Sequence, residues 1–134
     1  MFGLNRKELI DEPPAFDRDY LARLEGHVGR EVLRELVADG LFELTDRIER
    51  VSECADRGDV HTIGSLAHDI AGVAGHLGLT HLSRMAVEMN RTARRDPGID
   101  AAALVGPMRA AGPMALASLR TFLDETLGKP QNHN

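Results

Sequence analysis

The chain predicts an all-α fold, an antiparallel four-helix bundle with a short additional N-terminal helix. Three observations point there. Apolar residues recur at steps of three and four along four long segments, the period of a helix with one buried stripe. No segment shows the two-residue alternation of a strand. Short breaks carrying Gly, Asp and Pro separate the segments, and short connections make neighbouring helices antiparallel. The length of 134 residues suits one domain with a single core. Four Phe, one Tyr and no Trp leave that core to Leu, Ile, Val, Met and Ala.

Residues 1–15 read as a flexible arm, closed off by Pro13-Pro14, which cannot lie inside a helix. The bundle is expected over 16–127 and a flexible polar tail over 128–134. Asp17 is suited to cap a short helix from Arg18 to His27, with Tyr20, Leu21 and Leu24 on one side. A long helix follows from Arg30 to Arg57. Its stripe is Leu33, Val37, Leu41, Leu44, Ile48, Val51 and Ala55, and Gly58 stops it. Asp59 caps the next helix, Val60 to about Leu77, whose buried side is Ile63, Leu66, Ile70, Val73 and Leu77. Gly78 ends that helix and Thr80 is a cap for a fourth, running to Arg95 with Leu82, Met85, Ala86, Met89 and Ala93 inward. Asp96-Pro97-Gly98 is a loop. Asp100 caps the last helix, which reaches Leu127 with the stripe Leu104, Met108, Ala111, Ala115, Leu119, Phe122 and Thr126. Pro107 and Pro113 each remove a hydrogen bond from it, and a kink or break is expected, more at Pro113.

Composition narrows the function. A net charge of −5 disfavours nucleic acid as the main partner. No apolar run approaches the ~20 residues needed to span a membrane. Met1 to Glu12 lacks the apolar stretch of a secretory signal, and the single cysteine, Cys54, cannot form an intrachain disulfide. A cytoplasmic, monomeric protein is expected, without a membrane partner.

One segment carries chemistry. On a helical wheel His61, Gly64, Gly72, Gly75 and Leu79 fall within about 40° of His68, while the apolar stripe lies opposite. His68 should therefore face solvent or a partner. Glycines cost a helix about 1 kcal/mol each relative to alanine, a loss that suits a surface something must approach closely. The result is an exposed imidazole on a smooth floor, open to another protein's active site. His76 and His81 are five apart, whereas helical metal pairs sit four apart, and no carboxylate accompanies them, so no metal site is assigned.

The run His68-Asp69-Ile70-Ala71-Gly72, with Ala74, Leu77, Gly78, Leu82 and the Met89 to Arg94 segment, resembles the histidine-containing phosphotransfer (HPt) domain family. The likeness covers about residues 16–127 and is most specific between Gly58 and Arg95. It implies that His68 is the phosphoacceptor, relaying a phosphoryl group between aspartates on receiver domains of hybrid histidine kinases and response regulators. It implies that Gly72 lets the receiver approach, and that His61, Gly64, Gly75 and Leu79 surround the docking point. No cofactor is expected on this chain, Mg²⁺ belonging to the partner receiver. The protein would be a phosphocarrier in two-component signalling, not a free-standing catalyst.

One position departs from the family pattern. Where the family carries a lysine three residues after the histidine, this chain has Ala71. No basic residue lies within one helical turn of His68 on its own face; the candidates are His61 and His76, each about two turns away. The partner is then expected to supply most of the charge that balances the phosphoryl group. Ala71 also motivates an alternative, a degenerate module that binds receivers or kinases without carrying phosphate. A bundle holding a metal or cofactor would need inward His, Asp or Glu, and the stripes contain none.

Overall fold

The computed structural model describes residues 16–128. It contains five α-helices and, among those residues, no strand: α1 (Arg18–Val28), α2 (Arg30–Asp56), α3 (Val60–His76), α4 (Thr80–Arg95) and α5 (Ala101–Phe122). A π-helical turn, Leu123–Leu127, extends α5. The expected arm, 1–15, and all of the expected tail except Gly128 lie outside the described residues.

Helices α2 to α5 close into a ring. α2 packs on α3, α3 on α4, α4 on α5, and α5 back on α2. Named contacts fix the antiparallel registers. Arg47 of α2 meets Asp69 of α3, and Gly40 of α2 sits against Leu77. Gly64 of α3 lies against Ala93 of α4, and Gly75 against Ser83. Ile48 of α2 abuts Gly112 of α5, and Arg109 of α5 donates to the Ser52 hydroxyl and carbonyl.

The core is the set of stripes read from periodicity. Leu33, Val37, Leu44, Val51, Ile63, Ile70, Leu82, Met108 and Leu119 are almost wholly removed from water. No polar or charged residue is buried among the described residues, so packed hydrocarbon rather than a polar network holds the bundle together. Val73, Met85, Ala111 and Ala115 sit at the stripe edges, half-buried, and Thr126 is exposed.

Helix ends follow local chemistry. The carboxylates of Asp17, Asp59 and Asp100 accept backbone N–H bonds from Tyr20, Thr62 and Ala103. Gly58 and Gly78 adopt φ of 71° and 75°, turning the chain after α2 and α3. Thr80 is not a cap. It is the first residue of α4, preceded by Leu79, which makes no side-chain cap bond.

α1 is fastened to the far turn of the bundle. Asp17 N–H donates to the Gly78 carbonyl at 2.8 Å and the Tyr20 hydroxyl to the His76 carbonyl at 3.0 Å. Phe16 stacks at a tilt on Phe122, centroids 5.1 Å apart, with the Arg18 guanidinium over both rings. These contacts connect the first and last described elements across the bundle end.

α5 runs unbroken through Pro107 and Pro113, where a break had been an expected outcome. Both prolines are exposed, and the residues four before them, Ala103 and Arg109, are exposed as well. Both breaks in the hydrogen-bond ladder thus fall on the exposed side of α5, where neither proline ring is buried against a neighbouring helix.

Candidate functional site

α3 presents one solvent-facing strip. His61, Ser65, His68, Gly72, Gly75 and His76 are exposed along it, while Ile63, Ala67, Ile70 and Ala74 on the other side are completely buried. The core stripe sets the direction of His68: turning the imidazole inward would turn Ile70 and Ile63 out. A Cβ built on Gly72 meets nothing within 4 Å, so the strip beside His68 is bare backbone.

Two of the expected docking residues are placed differently. Leu79 is 0% exposed. The wheel carried it outward, but α3 ends at His76, the chain reverses at Gly78, and Leu79 falls into the core before α4 begins. Gly64 is buried too, because α4 occupies that flank. Its missing side chain serves the helix–helix contact, with a built Cβ 3.2 Å from the Ala93 Cβ. Gly75 lies on the rim, its Cβ position 3.5 Å from Ser83 Oγ. The glycines thus divide into one that admits α4, one at the seam and one that leaves the surface open.

The close α3–α4 approach creates an open groove beside His68. Its volume is about 670 Å³, and its walls are His61, Gly64, Ser65, His68 and Asp69 from α3, Asn90, Ala93 and Arg94 from α4, and Pro97 from the following loop. Asn90 Nδ2 donates to the Gly64 carbonyl at 2.8 Å and fixes one wall. Arg94 stands four residues further along α4 and therefore on the same face. On the other side, Asp69 pairs with Arg47 of α2 at 3.7 Å, which offsets the acid next to His68.

Ala71 is half-buried against α4, and its carbonyl accepts a hydrogen bond from Ser83 Oγ at 2.9 Å. Position 71 thus lies on the α4 flank of the strip. Arg94, arriving from the neighbouring helix, lines the same groove as His68 and adds a cation that the face of α3 itself does not carry. Asn90, Arg94 and Pro97 were not picked out as site residues from the sequence. The available signal was the four-residue spacing of Asn90 and Arg94 on the flank of α4 that faces α3.

Among the described residues there is no group of three or more His, Cys, Asp or Glu placed to hold a metal ion, and no helix long and apolar enough to cross a membrane. The site is thus an exposed imidazole beside an open stretch of backbone, on one helix of a closed four-helix ring. The Hpt domain family model matches residues 18–127, and the chain belongs to that family. It is a module of two-component signalling, in which such domains interact with receiver domains and act as phosphocarriers rather than catalysts. No curated protein and no solved structure matches the chain.

Proposed function

We propose that this chain carries a phosphoryl group on His68 between the aspartates of two receiver domains. The observation that supports this most is the exposed His68 imidazole beside the open backbone of Gly72, on a helix whose opposite face is locked in the core. In the accepting step a ring nitrogen of neutral imidazole forms a bond to phosphorus as the P–O bond to the aspartyl carboxyl breaks. The carboxylate departs with the electron pair, and the phosphorylated ring keeps the proton on its other nitrogen. Onward transfer reverses these events on a second aspartate. Such in-line transfer needs positioning and charge balance more than covalent machinery on the carrier. This chain contributes the nucleophile and a docking strip of His61, Ser65, Gly72, Gly75 and His76. Mg²⁺ would sit on the receiver. The reading includes a cytoplasmic monomer with no cofactor of its own.

The test is transfer of ³²P from a panel of purified, phosphorylated receiver domains. Acid-labile label should appear on the wild-type chain and be absent from His68→Gln, while His61→Ala and His76→Ala retain it. Labelling of His68→Gln at the wild-type rate would refute the assignment. A second reading is motivated by Ala71: a module that binds receivers without accepting phosphate. It requires receiver binding with no His68-dependent label from any donor.

A further inference from the structure

We infer that the segment preceding Phe16 docks in the groove between α4 and α5, with Leu9 and Ile10 seated on its apolar floor. The groove lies on the flank of α4 turned away from His68, so the inference stands apart from the phosphocarrier reading.

The seam between α4 and α5 is the least extensive of the four contacts in the ring. It leaves an open groove of about 440 Å³, whose floor and walls include Met85, Met89, Ile99, Ala103, Leu104 and Pro107. The α5 side stays apolar beyond the groove. Ala103, Pro107, Ala110 and Met114 share one face by their spacing, all are exposed, and Met114 is 70% exposed. Between Ala102 and Ser118 the one charged residue of α5 is Arg109, which is turned toward Ser52 and Asp56 of α2. A surface helix ordinarily carries charges on its outer face, so this uncharged flank marks a surface that something covers.

Three observations identify the occupant. The first is where the chain enters. Phe16 is buried against Phe122, and the Asp17 N–H is bound to the Gly78 carbonyl, which pins the entry point. The hollow at Phe16 and Asp17 shares His81 and Arg84 with the α4–α5 groove, so the chain emerges at the groove's mouth. The second is reach. The groove follows α4 from His81 to Thr92, about 16 Å along the helix axis. Leu9 stands seven residues before Phe16, a span of up to about 23 Å, and Pro13-Pro14 favours an extended path. The third is charge. Asp11 and Glu12, the charged residues nearest the entry point, meet the mouth, where His81 and Arg84 are exposed. Arg84 makes no ion pair among the described residues. Arg6 and Lys7 come further along, beside Glu88 on the α4 wall. A segment tethered at the mouth has a local concentration on the order of millimolar, so a modest apolar contact is enough to seat it. The arm expected from the sequence to be flexible thereby gains a seat, and the seam a cover.

Methyl NMR on the full chain, labelled with ¹³C at the methionine methyls, tests this. Met85 and Met89 report on the groove, and the fully buried Met108 is the control. A soluble gadolinium chelate broadens the methyls that solvent reaches. Spectra are compared for wild type, the double variant Leu9→Asp with Ile10→Asp, Arg84→Glu, and Arg84→Glu combined with Asp11→Lys and Glu12→Lys, each at two protein concentrations. Thermal melts confirm that each is folded. The expected result is a Met85 signal shielded in wild type. Leu9→Asp with Ile10→Asp should shift it and abolish the shielding, with Met108 unchanged. Arg84→Glu should lose part of the shielding, and reversing the two acids in that background should restore it. Shielding should be the same at both concentrations. A Met85 signal broadened as strongly in wild type as in Leu9→Asp with Ile10→Asp would overturn the inference. Shielding that grows with protein concentration would assign the groove to a second copy of the chain and overturn it equally.

Discussion

The side-chain amide of Asn90 and the backbone carbonyl of Gly64 are joined by a 2.8 Å hydrogen bond across the α3–α4 contact. That bond fixes the groove wall one turn from His68 and sets the rotation of the helix carrying Arg94. Asn90→Ala should cost about 0.5–1.5 kcal/mol in urea unfolding, the usual net worth of such a bond. It should also slow labelling of His68 by a phosphorylated receiver. A loss of stability with unchanged labelling would separate the wall from the site.

Gly64 and Gly72 should respond oppositely to a large side chain. At Gly64 a built Cβ already lies 3.2 Å from Ala93, so Gly64→Leu must push α4 away, at about 1–3 kcal/mol. At Gly72 the space is empty, and Gly72→Gln should leave stability unchanged or raised by several tenths of a kcal/mol through helix propensity. Gly72→Gln should nonetheless slow transfer from a receiver while leaving phosphoramidate labelling intact. Stopped-flow transfer and urea melts on the two variants read both effects. Fast receiver transfer in Gly72→Gln would place the partner elsewhere.

Gly78 combines a left-handed backbone with a crowded site. Its φ is 75°, and a built Cβ would come 2.9 Å from Tyr20 Cδ2. Gly78→Ala should destabilise by at least about 1–2 kcal/mol, the cost of that conformation for an L-residue, and loosen α1 through the Asp17 and Tyr20 contacts. Amide exchange should quicken in α1 before it does in α2.

Asp59 predicts an acid-dependent step. Hydrogen bonds from the Thr62 hydroxyl and then the Thr62 backbone N–H hold its carboxyl below the ordinary value of 3.8, aided by Arg57 and His61. A carboxyl lowered in the folded state stabilises above its unfolded pKa and loses that contribution as pH falls through the folded value. The melting temperature of Asp59→Ala should therefore lie below wild type near neutral pH, and the gap should narrow below about pH 4. A gap constant down to about pH 2 would mean that the carboxylate charge contributes nothing there.

The bundle was legible because each helix announces its buried face independently. Leu33, Val37, Leu44 and Val51 repeat with helical period, as do Ile63, Leu66 and Ile70, and hydrocarbon burial rewards that period wherever the partner stands. Asp17, Asp59 and Asp100 marked helix starts because capping involves only neighbouring residues. His68 was legible for the same local reason: the residues opposite it on one helix must be buried, so it cannot be.

Relations between helices were not legible. A wheel drawn for α3 alone puts Gly64, Gly72, Gly75 and Leu79 on one face, yet Gly64 and Leu79 are buried and Gly75 lies at the seam with α4, while Gly72 stands clear of its neighbours. It has no means of showing that α4 covers Gly64, or that a left-handed Gly78 swings Leu79 inward. Nor does it reveal Arg94, which lies 26 residues along the chain from His68 and enters the groove only because Gly64 and Ala93 let two helices approach. The sequence by itself determined which residues each helix buries and that His68 must be outside. The tertiary structure decided what stands beside it, because the flank at which two helices meet depends on the packing of whole surfaces and not on the period of either one.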